Sequence, residues 1–254
     1  MAELMAKREQ ADVLFWVGCA GSFDDRAKKI TKAFVKILNK ANVKFAVLGT
    51  EESCSGDPAR RAGNEFLFQM QALANIEVLN AYKVQKIVTA CPHCFNTLKN
   101  EYPEIGGEYE VIHHTQLLKE LLDQGKLTIE GGRFQGKKIT FHDPCYLGRA
   151  NDVYEAPREL ISKLDAELVE MKRCKAKGLC CGAGGAQMFK EPEKGNKDIN
   201  IERTEDALEV SPNFIATGCP FCNTMMTDGI KNKEKENEVQ VMDIAEMIAQ
   251  AQDL

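Results

Sequence analysis

Cysteine is the residue type whose spacing in this 254-residue chain suggests chemistry. Nine of the ten cysteines form two sets with one pattern: a single cysteine, 34 intervening residues, a middle position and a later CxxC pair. The two sets are offset by 126 residues at the first cysteine, by 127 at the middle position when Cys54 is matched to Cys181, and by 128 at the CxxC pair. This shared register indicates a duplicated cysteine site. The first set is Cys19, Cys54, Cys91 and Cys94, and the second is Cys145, Cys180, Cys181, Cys219 and Cys222.

Metal ligation explains these cysteines better than disulfide bonding does. The N-terminal residues are charged where a secretory signal needs an apolar stretch. In a reducing compartment, CxxC pairs are more often metal ligands or redox centres than structural disulfides. A chain of this length also buries its own core without covalent cross-links. We therefore expect a cytoplasmic metal or cluster protein, peripheral to the inner face of a membrane only through a partner.

Charge and hydropathy exclude two classes of partner. The net charge is −5, from 33 basic and 38 acidic residues, and no stripe is dense in lysine or arginine, so nucleic acid is not an expected partner. No apolar run approaches the roughly 18–20 residues needed to span a bilayer, so we expect no direct membrane span.

The second set contains more thiolates than a simple site requires. Zinc or a [4Fe–4S] cubane takes four thiolates, whereas this set supplies five. The adjacent Cys180 and Cys181 cannot both easily ligate one compact ion, but two neighbouring irons could use them. A glycine-rich stretch, residues 182–185, follows and lets backbone N–H groups approach cluster sulfurs. We expect an iron–sulfur cluster here.

The first set has only four thiolates, because Cys54 is flanked by serines instead of a second cysteine. Four sulfurs suit a tetrahedral zinc ion or a cubane cluster, and reduced thiols without metal are the third alternative. Ser53 or Asp57 could supply an oxygen ligand in place of the missing thiolate.

His142 and Arg149 flank the first cysteine of the second set. A histidine three residues before a ligand could act as a proton donor in two-electron, two-proton chemistry, or could only hydrogen-bond the turn. The arginine could anchor an anionic substrate or partner, or could pair with an acid or cap a helix.

The remaining candidates have structural interpretations. His93, inside the first CxxC pair, is expected to pack beside the metal without ligating it. The His113-His114 pair is expected to be a core or surface pair, because its counterpart at the offset of 128, Val241-Met242, is apolar. Cys174 has no counterpart and is expected to be a free thiol.

Alternating strand and helix patterns must position these residues. Because parallel strands joined by helices end on one edge of a sheet, the cysteines of each half should meet there. We predict an α/β fold of two pseudo-symmetric domains, 1–132 and 133–254, each a mainly parallel four-stranded sheet covered by helices, joined within the glycine-rich segment 124–137. The predicted strands are 13–17, 44–49, 86–90, 110–114, 138–141, 167–171, 213–217 and 239–242.

Three segments, residues 142–149, 180–185 and 219–222, together resemble the cysteine-rich CCG domain. This domain occurs in the B subunit of heterodisulfide reductase and in related subunits of glycerol-3-phosphate, lactate-utilisation and flavoprotein–quinone oxidoreductases. The resemblance covers essentially the whole chain as two tandem copies. Residues 56–65 resemble the variant found in flavoprotein-linked members of the family.

The resemblance implies that the five cysteines of the second set hold a noncubane [4Fe–4S] cluster. It implies an iron–sulfur redox subunit of a heterodisulfide reductase-like complex, passing electrons to a disulfide or another two-electron acceptor. The alternative is a non-catalytic electron-relay or assembly subunit of a flavoprotein- or quinone-linked complex, with structural zinc in the first domain. A purely structural zinc protein is disfavoured by the five thiolates.

The resemblance also implies partners. The sequence has no additional ferredoxin-type C-x₂-C-x₂-C-x₃-C run. We therefore expect a ferredoxin-domain iron–sulfur subunit, similar to the C subunit of heterodisulfide reductase, together with a flavoprotein or a membrane quinone-reducing subunit.

Overall fold

A computed structural model describes residues 1–7, 9–129, 132–191 and 194–254. Its strands are β1 (Val13–Trp16), β2 (Phe45–Ala46), β3 (Lys86–Thr89), β4 (Glu110–His113), β5 (Lys138–Phe141), β6 (Glu167–Leu168), β7 (Phe214–Thr217) and β8 (Gln240–Asp243). Its α-helices are α1 (Ala2–Ala6), α2 (Gly18–Phe23), α3 (Ala27–Lys40), α4 (Asp57–Arg61), α5 (Glu65–Ala81), α6 (Pro92–Asn96), α7 (His114–Asp123), α8 (Glu155–Ser162), α9 (Ile199–Leu208), α10 (Pro220–Asn232) and α11 (Ile244–Ala251).

The strands form two four-stranded parallel sheets with the same topology. The order is β2-β1-β3-β4 in the first sheet and β6-β5-β7-β8 in the second, and every pairing is parallel. The central strands are short apolar runs buried along most of their length, as strands covered by helices on both faces must be. This confirms the predicted α/β class and the duplication of one unit.

Two of the four edge strands, β2 and β6, are shorter than predicted. β2 and β6 contain two residues each, whereas the sequence patterns predict strands over 44–49 and 167–171. β2 pairs with β1, and β6 with β5, through two residues each.

Strand register corrects one sequence alignment. His113 pairs with Thr89 in the first sheet, and Asp243 pairs with Thr217 in the second. Both residues also begin a helix through a capping box. The structural counterpart of His113 is therefore Asp243, and the predicted correspondence with Val241 is wrong by two residues.

One hydrophobic core joins the two halves. It contains side chains from helix α3 and strand β1 of the first half together with strand β5 and helix α11 of the second. The predicted boundary near residue 132 therefore divides the two sheets without dividing the core. The predicted junction, 124–137, includes residues 130 and 131, which lie outside the described residues.

Candidate metal centre

The cysteines follow the carboxyl ends of the central strands. Cys19 lies just beyond β1, Cys91 just beyond β3, Cys145 just beyond β5 and Cys219 just beyond β7. Because all strands of each sheet run in one direction, these ends share an edge, where sites in α/β folds form. All ten cysteines are free thiols.

The five cysteines of the second set form a continuous chain of thiol contacts. Cys180 accepts hydrogen bonds from Cys145 and Cys181, which lower the pKa of Cys180 well below its usual range. Cys181 donates to Cys180, which raises its pKa to about 12, and its thiol also contacts Cys222. The Cys222 thiol also contacts Cys219, the last member of this series of contacting thiols. The structure thus brings this predicted ligand set together.

Helix α10 contributes to the second set through its first turn. Cys219 is its N-cap, and the backbone N–H of Cys222 donates to Cys219 Sγ at 3.5 Å. Burial raises the pKa of Cys219, but hydrogen bonds from Cys222 and Cys91 bring it down to about 6. A helix N-terminus favours a thiolate, the form that binds metals.

The first set is built in the same way. Cys19 donates to Cys54, which lowers the pKa of Cys54 to about 6. Cys91 and Cys94 are buried at the start of helix α6 and hydrogen-bond each other. Gly18, next to Cys19, lies so near the CxxC pair that a Cβ there would be 3.5 Å from Cys94 Sγ.

A glycine hydrogen bond fixes the correspondence between the two middle positions. The N–H of Gly56 donates to Cys54 Sγ at 3.5 Å, and the N–H of Gly182 donates to Cys180 Sγ at 3.3 Å. Both glycines have positive φ, +90° and +94°, a conformation that other residues rarely adopt. Cys54 therefore corresponds to Cys180, not to Cys181 as the offset of 127 implied.

Ser55 consequently occupies the position of Cys181. Its side chain is buried and its hydroxyl donates to Cys94 Sγ at 3.5 Å. The two residues suggested from sequence as oxygen ligands are engaged elsewhere: Ser53 bonds Asn75, and Asp57 accepts from Arg61 and pairs with His93. The first site thus has four thiols and a serine where the second has five thiols.

The two sites meet at the interface between the halves. Cys91 donates a hydrogen bond to Cys219, which raises the pKa of Cys91. These two cysteines are equivalent positions of the two halves, so the contact joins corresponding points of the two sites. A run of contacting sulfurs consequently extends from the first CxxC pair through the whole second set.

His142 lies against the second set and is completely buried. One of its ring nitrogens lies within 4.8 Å of the sulfurs of Cys181 and Cys222. Burial and the positive charge of Arg203 lower the pKa of His142 to about 3, so the ring is neutral at pH 7. Sequence patterns gave no sign of Arg203, because an arginine within an amphipathic helix usually faces solvent.

His93 reaches from the first half into the second. Its ring lies 4.8 Å from the Tyr146 ring and 5.7 Å from the Phe221 ring, centroid to centroid. Its Nδ1 is 3.0 Å from a carboxylate oxygen of Asp57. The structure therefore places it between the two sites, packed on aromatic rings.

The His113-His114 pair is buried at the domain interface. His114 Nε2 is 2.9 Å from Asp243 Oδ1, and its Nδ1 is 3.2 Å from His113 Nε2. His113 in turn packs against Gly218, next to Cys219. The pair is thus held in an interdomain hydrogen-bond chain and bonds no cysteine directly.

Arg149 and Cys174 lie beside the second site without joining it. Arg149 donates to the carbonyl oxygen of Gly178, which holds the segment before Cys180. Partial burial raises the pKa of Cys174, and the nearby acids Glu170 and Asp143 raise it further.

A network around Asp143 supports Cys145. Arg158 is buried and makes paired hydrogen bonds to Asp143 at 2.8 and 3.0 Å and to Glu170 at 2.7 and 3.0 Å. Asp143 also accepts from the N–H of Lys175 at 2.7 Å. The network fixes the turn that carries the first cysteine of the second set, and sequence analysis missed it because its members are distant along the chain.

A mainly apolar cavity of about 280 Å³ opens beside the first site. Cys19 lines it together with Phe23, Phe189 and Phe221, so it touches the first site and the turn between Cys219 and Cys222. Phe23 and Phe189 are also exposed to solvent. The cavity offers apolar access to the edge where the cysteines meet.

The donor sets fit soft metals. The ligand candidates are thiols, which in proteins bind iron–sulfur clusters and zinc in preference to magnesium or calcium. Five thiols in continuous contact exceed what a tetrahedral zinc site takes, whereas four thiols and a serine fit zinc and a cubane equally.

Comparison with known proteins agrees with this chemistry. A family model described as the cysteine-rich CCG domain matches residues 13–99 and 139–227. The chain is 50% identical over 250 residues to a probable iron-sulfur-binding oxidoreductase of Bacillus subtilis, covering 98% of this chain and 35% of that protein. It is 46% identical to the EtfAB:quinone oxidoreductase of Syntrophomonas wolfei, covering 96% of this chain and 35% of that protein.

A third relative is the D subunit of the dihydromethanophenazine:CoB–CoM heterodisulfide reductase of Methanosarcina barkeri, 34% identical, with 96% of this chain and 59% of that protein covered. The chain thus spans about one third of the first two relatives and over half of the third. Among solved structures, a glutamate racemase of Bacillus anthracis is 17% identical, and the match covers 95% of this chain and 79% of that one. The TM-score of 0.39 is too low for the likeness to bear on function. Within the described residues, no helix combines the length and apolarity needed to cross a bilayer.

Proposed function

The chain belongs to the family of proteins with the cysteine-rich CCG domain and carries two copies of it, and we propose that it is an iron–sulfur redox module of a larger oxidoreductase. The observation that carries this proposal is the continuous run of contacting thiols from the first CxxC pair to Cys145. Relatives named as iron–sulfur oxidoreductases support it.

The second site is the redox site in this proposal. Its five cysteines would hold a [4Fe–4S] cluster of the noncubane type, since a cubane leaves one thiolate unused. Such a cluster supplies one-electron transfer. The protein's own contribution is to hold the thiols in a buried pocket and to surround them with the N–H groups of Gly182 and Cys222.

The first site is assigned a cubane [4Fe–4S] cluster or a zinc ion on Cys19, Cys54, Cys91 and Cys94. Ser55 limits this site to four thiols, so it lacks the donor set proposed for the second. With iron it would be the neighbouring relay. With zinc it would brace the interface, because a structural zinc contributes folding free energy.

We propose that the electron acceptor or donor is a two-electron compound such as a disulfide. The alternative is a relay role, and the apolar cavity favours an uncharged acceptor or a docked apolar partner surface over a multiply charged molecule. Partners are a ferredoxin-domain protein and a flavoprotein or quinone-reducing unit, as separate subunits or as further parts of one polypeptide.

A spectroscopic experiment separates the two roles. The anaerobically purified protein is mixed with an organic disulfide, then with its dithiol, and the paramagnetic spectrum of the second site is followed. If the site is catalytic, a new paramagnetic spectrum should appear only when the disulfide is added. The Cys174→Ser variant, which changes a cysteine outside both sets, should show the same spectrum. If the spectrum changes only with the reduction potential of the solution, and not with the disulfide, the result supports a relay role without catalysis.

Cys181→Ser is expected to convert the second site to the donor set of the first. The remaining four thiolates, Cys145, Cys180, Cys219 and Cys222, suffice for a cubane. Iron content should stay close to the wild-type value while the spectrum changes to that of a cubane. Loss of both iron and fold, measured by circular dichroism, would contradict this assignment.

Ser55→Cys is the reciprocal change. Because Ser55 lies 3.5 Å from Cys94 Sγ in the position equivalent to Cys181, a thiol there completes a five-thiolate set. We expect the first site to bind iron in place of any zinc and to acquire the spectrum of the second site. Unchanged metal content and spectrum would show that the two sites differ by more than this residue.

A further inference from the structure

His142 extends strand β5 by one residue, and its side chain turns into the second site. Its backbone N–H donates to the carbonyl oxygen of Ala216 at 2.9 Å, which fixes the main chain. Its side chain is fully buried, with a ring nitrogen within 4.8 Å of two cysteine sulfurs.

Arg203, on helix α9, determines which nitrogen of His142 carries the hydrogen. Its Nε donates to His142 Nδ1 at 3.0 Å, and its Nη1 donates to the carbonyl oxygen of Arg173 at 2.6 Å and to Asp206 at 3.3 Å. A guanidinium has donors but no acceptor and stays protonated. Nδ1 must therefore accept, and the neutral ring carries its hydrogen on Nε2.

That N–H is left without an acceptor among the described residues. Nε2 of His142 is buried and has no hydrogen-bond partner there. Buried donors in folded proteins nearly always have an acceptor, so this N–H is available to a group that binds between the neighbouring cysteines. Arg203 occupies Nδ1, so Nε2 is the nitrogen free to face the thiols of Cys181 and Cys222, which lie within 4.8 Å of a ring nitrogen.

We propose that Arg203 holds His142 with its hydrogen on Nε2, so that this N–H donates a hydrogen bond to sulfur of the iron–sulfur group in the second site and does not ligate iron. The inference rests on the proposed function. A nitrogen that carries a hydrogen has no lone pair for a metal, which excludes ligation. Hydrogen bonds to cluster sulfurs stabilise the more negative reduced state and so raise the reduction potential. His142 tunes the group, and Arg203 is the positioning residue.

The first test is the reduction potential of the holoprotein, measured by an EPR-monitored titration. His142→Phe keeps a ring but removes the donor, and should make reduction about tenfold less favourable, a fall of about 59 mV for a one-electron couple. Thr204→Val is the matched control, because Thr204 is buried beside Arg203 but packs against Gly229 instead. An unchanged potential in His142→Phe would overturn the proposal.

The second test distinguishes a hydrogen bond from ligation. Pulsed EPR of holoprotein labelled with ¹⁵N-histidine should show a weak nitrogen coupling that disappears in His142→Phe. A strong coupling, typical of a nitrogen bound to iron, would overturn the proposal. Wild-type protein without iron would overturn the proposed function itself, whereas iron with an unchanged potential would overturn this inference alone.

The role of Arg203 requires its own variants. Arg203→Met should lower the potential toward that of His142→Phe, and should add little to it in the double variant, because both act through one hydrogen bond. Arg203→Lys should retain more of the wild-type potential than Arg203→Met. Additive shifts in the double variant would show that Arg203 acts without His142. Thermal unfolding of each variant identifies any loss of fold.

Discussion

Replacing Cys219 by serine is expected to remove far more iron from the second site than Cys181→Ser does, because the four thiolates left include the adjacent Cys180 and Cys181, and to perturb the first site. Cys219 is completely buried, and its thiol contacts both Cys222 and Cys91, so it is the point at which the two sites meet. A serine hydroxyl remains protonated near pH 7 and is a far weaker ligand for iron than a thiolate. Metal analysis of anaerobically purified Cys219→Ser should therefore show the loss.

Cys174→Ser is the matched control for that experiment. Cys174 belongs to neither set and lies outside the run of sulfur contacts, so its replacement should leave iron content and spectrum unchanged. Equal iron in Cys219→Ser and Cys174→Ser would show that Cys219 is not a ligand. Equal loss in both would indicate general sensitivity to cysteine substitution.

The second large effect is expected at Arg158. Its guanidinium is 7% exposed and holds two carboxylates, Asp143 and Glu170, through paired hydrogen bonds. Arg158→Met would leave Asp143 charged and buried, and breaking a buried pair in this way costs about 3–5 kcal/mol. Denaturant unfolding of holoprotein should show a free energy of unfolding lower by that amount.

Lys119→Met serves as the comparison for Arg158→Met. Lys119 also bridges two carboxylates, Asp123 and Glu159, but these are exposed, and such pairs contribute about 0–1 kcal/mol. Because Asp143 lies two residues before Cys145, Arg158→Met should also weaken cluster retention, which Lys119→Met should not. Equal stability of the two variants would contradict the structural role of the Arg158 network.

The local elements of this fold could be predicted from sequence because their signals are local. The run at 13–16 is apolar and buried, the run at 138–141 is buried from its second residue onward, and both are observed as strands. The cysteine pattern likewise identified the family, since spacing within a duplicated unit survives in the sequence. The assignment of each cysteine as a ligand stays a prediction.

Other features depend on distant residues or on loop geometry and could not be predicted. The match of the middle cysteines is an exception, because the Cys-x-Gly spacing shared by Cys54 and Cys180 already indicates it, and the hydrogen bonds of Gly56 and Gly182 confirm it. The Arg203–His142 bond joins residues 61 positions apart. The spacing of apolar and polar residues along the sequence does not indicate a contact between residues so far apart.

We propose that the contacting thiols form two neighbouring metal sites, of which the second holds an iron–sulfur cluster. The most direct test is the iron, zinc and acid-labile sulfide content of the protein purified without oxygen. If the first site holds zinc, we expect about four iron atoms, four sulfides and one zinc per chain. If the first site holds a second cluster, we expect about eight iron atoms and eight sulfides without zinc. Zinc alone, without iron or sulfide, would contradict the account.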